Sequence, residues 1–178
     1  MAILKVARMG HPVLRIKTPA LERAAIKSAA VQKLIDDMMD TMREYHGVGL
    51  AAPQVHEGVR LFVAALDTDD RGEDVADIEP IALINPDITP VAGTEIVEDW
   101  EGCLSIPDIR GRVPRAREIT VRAYDRKGAR LEISAHGFPA RVIQHETDHL
   151  DGILFVDRMK SFESLTFLEE YSRYWMKE

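Results

Sequence analysis

The sequence predicts an α+β protein: short, mainly antiparallel strands around a motif-bearing helix, with one helix N-terminal to them and another C-terminal. Three observations carry this prediction. Apolar residues recur at spacings of three and four over residues 28–45, short extended segments fill the middle of the chain, and "QHETDHLDG" (144–152) follows a proline suited to a helix's first turn.

In the first helix, Ser28 to Tyr45, the apolar stripe is Val31, Leu34, Ile35, Met38, Met39 and Met42. It should stop at "HGVG", with Gly47 supplying a left-handed cap. Extended segments follow at Arg60–Leu66, Ile81–Ile84 and Glu95–Val97. Ile119–Tyr124 and Arg130–Ser134 alternate more clearly, and the "DRKG" between them reads as a hairpin turn. Residues 67–80 are acidic without apolar period and read as an exposed loop. A second helix should run from near Pro139 to near Gly152, and a third from about Glu163 to Trp175. The last carries Leu165, Leu168, Tyr171, Tyr174 and Trp175 as a mostly apolar stripe, which reads as core or docking surface rather than a cofactor box.

At 178 residues, with 46% hydrophobic and 30% charged residues, the chain suits a single catalytic domain spanning 1–178. No repeat or linker divides it. A net charge of −7 argues against a nucleic-acid backbone or an anionic membrane as partner. No apolar run reaches transmembrane length. The opening "MAILKVARMGHPVLR" is broken by Lys5, Arg8 and Arg15, so it lacks a signal peptide's apolar region. One cysteine, Cys103, excludes an intramolecular disulfide and fits a reducing compartment. Composition alone favours reading it as a small buried hydrophobe.

The H-E-x-x-H of His145, Glu146 and His149 is the strongest chemical signal. One turn apart on a helix, both imidazoles can reach one ion, with Glu146 beside them to take a proton from water. Two histidines leave a third ligand to find. The longer H-E-x-x-H-x-x-G-x-x-H pattern is excluded: Gly152 is in place, but its last position is Phe155. A thermolysin-like endopeptidase would take a glutamate about twenty residues further on, where Glu169 and Glu170 lie. The other candidate is Cys103 in "EGCLSIP", preceded by a glycine that permits close backbone approach and followed by Pro107, which should end the extended stretch. A His₂Cys set would leave a fourth position open for water. A purely structural metal site would need neither that position nor Glu146.

"GVGLAAPQ" (47–54), "EGCLS" (101–105) and "QHETDHLDG" (144–152) together resemble the three signature motifs of the peptide deformylase family, in order and at suitable separations. "GHPVLR" resembles that family's N-terminal region, so the resemblance extends to about residue 158. It implies an enzyme that removes the formyl group from the N-terminal formyl-methionine of new polypeptides, releasing formate. Cys103, His145 and His149 would hold the metal, and metal-bound water would attack the formyl carbon with Glu146 as general base. Ferrous iron is the ion implied, with zinc or another divalent ion as substitutes.

By the same resemblance, the Gln54 side-chain amide and the Leu104 backbone N–H would stabilise the developing oxyanion. Read alone, Gln54 is a surface glutamine in a Gly/Ala/Pro turn. Gly49 would hydrogen-bond an extended substrate, Val48 would line the methionine pocket, and Arg110 would face the outgoing chain. Gln144 would support the site. Asp148, one helical turn on, reads from its spacing either as a residue that orients a ligand from outside the coordination sphere or as a surface carboxylate. His11, His46, His56 and His136 match no ligand position and read as surface or helix-end residues. Arg141 and Val142 depart from the apolar residues usual before the third motif, as in a subgroup found in bacteria and organelles. The partners implied are N-formyl-methionyl nascent peptides and the ribosome exit region. The location implied is bacterial cytoplasm, or an organellar matrix after loss of a transit peptide.

Overall fold

A computed structural model describes residues 2–66 and 78–176. Of the acidic segment 67–80, residues 67–77 lie outside that range. The first helix, α1 (Ala29–Glu44), is opened by Ser28, whose hydroxyl accepts from the Val31 N–H at 3.3 Å. It buries Val31, Ile35, Met38, Met39 and Met42, the stripe read from the sequence. Its end differs from expectation. His46, not Gly47, is the left-handed residue (φ 53), and the Gly47 N–H reaches back to the Met42 carbonyl at 2.9 Å. Gly47 is glycine for a different reason: a Cβ there would lie 2.9 Å from the Leu104 side chain.

Five antiparallel strands form the main sheet: β1 (Gly49–Ala51), β2 (Leu61–Ala64), β3 (Ile81–Pro90), then, after two strands of the second sheet, β6 (Glu118–Tyr124) and β7 (Arg130–His136), hydrogen-bonded in that order. Leu61 and Val63 of β2 join α1 in one core, whereas Phe62 and Ala64 join Ile119, Val121 and the motif helix in another. β2 is therefore covered on both faces, which is why its sequence is a continuous apolar run. The Asp125–Gly128 turn closes β6 onto β7, with the Asp125 carboxylate accepting from the Lys127 and Ala129 N–H groups.

β3 continues beyond the expected Ile84. Asn85 (φ 51) and Pro86 form a bulge rather than an end, and the Asn85 amide both donates to and accepts from the Leu21 backbone at 2.8 Å.

The second sheet orders β4 (Ile96–Cys103), β5 (Ile106–Ala116) and β8 (Thr166–Phe167). The expected strand Glu95–Val97 thus runs on to Cys103, and Pro107 does not end the extended chain. Pairing steps from Glu101↔Gly111 to Cys103↔Ile106, so residues 107–110 bulge out opposite Gly102, with Asp108 at φ 61. A proline in a bulge forfeits no ladder hydrogen bond.

The motif helix, α2 (Gly137–Leu150), is followed by Gly152 at φ 74 in a left-handed turn, as the sequence implied. A short α3 (Phe155–Arg158) comes next. The expected helix Glu163–Trp175 is only half there: Thr166 and Phe167 pair with Arg110 and Ile109 as β8, leaving α4 as Leu168–Tyr174. The open edge of the β5 bulge recruits the start of the predicted helix as a strand. Among the described residues, no helix is long and apolar enough to cross a membrane.

Candidate metal centre

Every position of α2 from Pro139 to Leu150 is buried, including seven with polar or charged side chains. Buried polar groups need partners, and theirs define the site. His145 and His149 project one turn apart, their rings edge to face at 5.0 Å. Cys103, the last residue of β4, meets them. One donor atom from each of the three lies within 4.8 Å of the others, and Cys103 Sγ is 3.2 Å from His149 Nε2. Bonds of about 2.0–2.3 Å in a tetrahedral site separate ligand atoms by roughly 3.5 Å, so the cluster has the dimensions of a metal site.

Its electrostatics agree. Burial alone pushes the Cys103 thiol up, but His149 and His145 outweigh that and hold it well below the ordinary thiol range. The Ser105 N–H at 3.4 Å and the Gln54 amide at 3.5 Å also donate toward the sulfur. His149 Nδ1 and one oxygen of Glu146 are buried without a hydrogen-bond partner among the described residues. The His₂Cys donor set, with an uncompensated carboxylate oxygen beside it, suits a divalent cation.

Glu146 faces β1. A Cβ on Gly49 would lie 2.4 Å from Glu146 Oε1, so only glycine leaves room for that carboxylate. Burial pushes the Glu146 carboxyl up to about 7, against the pull of His145 and His149. A carboxyl of that strength is suited to proton transfer near neutral pH.

Behind His145 lies a buried ionic array. His145 Nδ1 donates to Glu101 at 2.9 Å, which directs its other nitrogen toward Cys103. Glu101 also accepts from Arg115 Nε and Nη2 at 2.9 and 3.0 Å, and from Arg141 at 2.8 Å. Burial raises the Glu101 carboxyl, but the hydrogen bonds from His145 and Arg115 outweigh it and keep the group ionised far below the usual carboxylate range. Arg115 reaches on to Asp148, which also accepts from Arg158 at 2.7 and 3.1 Å. Asp148 is therefore a step further from the clustered donors than expected, and Glu101 has the contact that orients His145. Gln144 ties α2 to β5 through the Ala116 N–H and carbonyl at 3.1 and 2.8 Å. The guanidinium of Arg141 also donates to the Val97 and Val113 carbonyls, which explains a buried arginine where an apolar residue was expected.

A cleft of about 800 Å³ opens over the triad, with Val48, Gln54, Leu104, Arg110 and Val142 in its walls. Gln54 is buried, not in a surface turn. Its Oε1 accepts from the Ala51 N–H at 2.8 Å, and its amide nitrogen faces Cys103 and Ser105. Arg110 lies over Gly102, where a Cβ would be 2.0 Å from its guanidinium, and donates to the Ile109 carbonyl. The other four histidines are exposed, two at helix starts (His11 and His136) and one, His46, at the end of α1.

The family model of polypeptide deformylase matches residues 3–164. The chain belongs to the polypeptide deformylase family. Among its deformylase relatives, peptide deformylase 2 of Nostoc sp. is 45% identical over 169 residues, covering 95% of this chain and 93% of that one. Peptide deformylase 2 of Pseudomonas putida is 42% identical over 168 residues, covering 94% and 93%. Of solved structures, the class I type b peptide deformylase of Acinetobacter baumannii with Met-Ala-Ser bound superposes with a TM-score of 0.79 at 37% identity, covering 89% of this chain and 99% of that one. The Thermotoga maritima deformylase gives 0.78 at 35% identity, covering 90% and 100%. The chain is thus an enzyme of this family.

The thermolysin-like alternative is not favoured. Glu169 is exposed on α4 and bonded to Arg173 at 2.9 Å, and the clustered donors are those of Cys103, His145 and His149. Sequence reading missed Glu101, Arg115 and Ser105. A signal existed for Glu101, an acid two residues before a candidate thiol ligand. Arg141 stands out in the sequence, but its bond to Glu101 does not; its place one turn before His145 on the same helix face was the available signal.

Proposed function

We propose that this deformylase hydrolyses the formyl amide of N-terminal formyl-methionine on newly made polypeptides, giving formate and a free amine, with residues 1–178 acting as one catalytic domain. The observation that carries the reading is a buried Cys103–His145–His149 triad beside Glu146, at the floor of an open cleft, in a chain of this family.

Cys103, His145 and His149 would hold ferrous iron, with zinc as a substitute. A divalent ion there supplies Lewis acidity, acidifying water and polarising a carbonyl oxygen. Glu146 takes the proton from the attacking water and hands it to the departing amine. Burial raises its carboxyl above the ordinary carboxylate range and a bound cation offsets part of that rise, which keeps it suited to both transfers. As the formyl carbon becomes tetrahedral, its oxygen gains negative charge. The Gln54 amide and the Leu104 N–H donate to it, each such donor contributing a factor of ~10²–10³ in rate. Gln54 is fixed for this because its other end is held by the Ala51 N–H.

The peptide lies along Gly49 as an added strand. Its methionine side chain enters the pocket walled by Val48, Phe138 and Val142, where burial favours an apolar side chain. Arg110 borders the outgoing chain. The substrate class agrees with the Met-Ala-Ser peptide in the Acinetobacter baumannii structure. We place the reaction in bacterial cytoplasm or an organellar matrix, near the ribosome exit, without direct nucleic-acid binding.

The test is an anaerobic assay of ferrous-loaded protein on a short formyl-methionyl peptide. Formate and one free amine should appear together with internal bonds intact. Internal cleavage with the formyl group retained would overturn the reading.

A further inference from the structure

The family model's match ends at residue 164, and the chain beyond it reaches the active cleft. Leu168, the first residue of α4, is half-buried in the cleft wall with Trp100 and Arg110. Two sets of contacts hold it there. β8 pairs Thr166 with Arg110 and Phe167 with Ile109, clamping the bulge that carries Arg110. Tyr171 and Trp175 pack on Trp100 of β4, with ring centroids 5.0 and 5.8 Å apart. Trp100 in turn precedes Glu101, the residue that orients His145. The C-terminal segment is thus fastened to the two strands that deliver Cys103 and Arg110, and it places an apolar side chain in the cleft wall.

Resting on the deformylase reading, we infer that Leu168 and Trp100 form a specificity wall for the substrate's third residue, selecting an apolar side chain there. In an extended peptide, side chains alternate, so the third lies on the same side as the methionine. Val48, Val142, Trp100 and Leu168 line the same cleft; with methionine near Val48 and Val142, we seat the next side chain on that face against Trp100 and Leu168. Truncating Leu168 removes apolar contact made equally in the ground and transition states. The loss therefore falls on KM rather than kcat.

The experiment compares formyl-Met-Ala-Leu with formyl-Met-Ala-Ser, and separately measures calorimetric binding of the products Met-Ala-Leu and Met-Ala-Ser. The enzyme should prefer leucine at the third position by about tenfold in kcat/KM and in product affinity. Leu168→Ala should reduce that preference to about twofold through KM, Leu168→Met should restore most of it, and Tyr174→Ser, on the exposed side of α4, should leave it intact. Equal losses on both peptides in Leu168→Ala, or an unchanged preference, would overturn the inference, as would failure of both products to bind. Leucine-selective, Leu168-dependent product binding without release of formate would instead overturn the deformylase reading and leave the wall standing.

Discussion

Replacing Glu101 by glutamine keeps the side chain's size and removes one buried charge. The carboxylate accepts four hydrogen bonds of 2.8–3.0 Å, from His145, Arg115 twice and Arg141. An amide can accept at only one end and turns its NH₂ toward a guanidinium at the other. Breaking a buried ion pair on one side costs about 3–5 kcal/mol. For a chain of this length, at roughly 2–4 °C per kcal/mol, Tm should fall by about 6–20 °C. His145 also loses its fixed tautomer, so metal affinity should drop about 10–100-fold. The pH dependence follows from the depressed carboxyl. Its stabilisation is complete above the ordinary value of 4.5 and disappears only as pH falls through the much lower folded value. Measured on metal-loaded protein, where ligation keeps His145 neutral, the gap between wild type and Glu101→Gln should be constant from pH 5 to 8 and narrow only in stronger acid. Thermal melts across that range and competition with a chromogenic chelator measure both effects. A variant melting within 2 °C (about 1 kcal/mol or less) of wild type, with unchanged metal affinity, would refute the orienting role.

Metal-free Glu146→Gln should be more stable than wild type at pH 8. A carboxyl raised from 4.5 to about 7 costs the fold roughly 3 kcal/mol above pH 7 and nothing below 4.5, so calorimetric melts should converge toward acid. In the loaded enzyme the proposed mechanism requires Glu146 to be ionised. The cation's charge draws its pKa down, so kcat/KM should fall with decreasing pH along a limb centred no higher than about 7. Gly49→Ala places a methyl group 2.4 Å from the Glu146 carboxylate; kcat should fall about a hundredfold or more while metal content by atomic emission stays at wild-type level.

Much of this site is legible in the sequence because its parts are local. His145, Glu146 and His149 follow from helical spacing, and Ser28 and the Asp125–Gly128 turn follow from capping and turn chemistry. β5 is illegible because Pro107 and Pro114 mimic breaks, and only pairing with β4 shows that Pro107 sits in a bulge. The ionic array is illegible because Glu101, Arg115, Arg141, Asp148 and Arg158 come from β4, β5, α2 and α3, and meet only in three dimensions. The C-terminal helix is shorter than its apolar spacing suggests: Tyr171 and Trp175 pack on Trp100 and Leu168 enters the cleft wall, but Leu165 and Tyr174 are exposed, and Thr166 and Phe167 pair as a strand. At the end of α1, His46 and Gly47 are adjacent candidates for a left-handed residue, and the Leu104 contact decides why the glycine is second.

The most direct test measures bound metal and released formate together in wild type, Glu146→Ala and Cys103→Ala. Wild type should bind one equivalent of ferrous ion and deformylate a formyl-methionyl peptide. Glu146→Ala should keep the ion and lose turnover, and Cys103→Ala should lose both. Full metal binding and formate release by Cys103→Ala, or undiminished turnover by Glu146→Ala, would contradict the account.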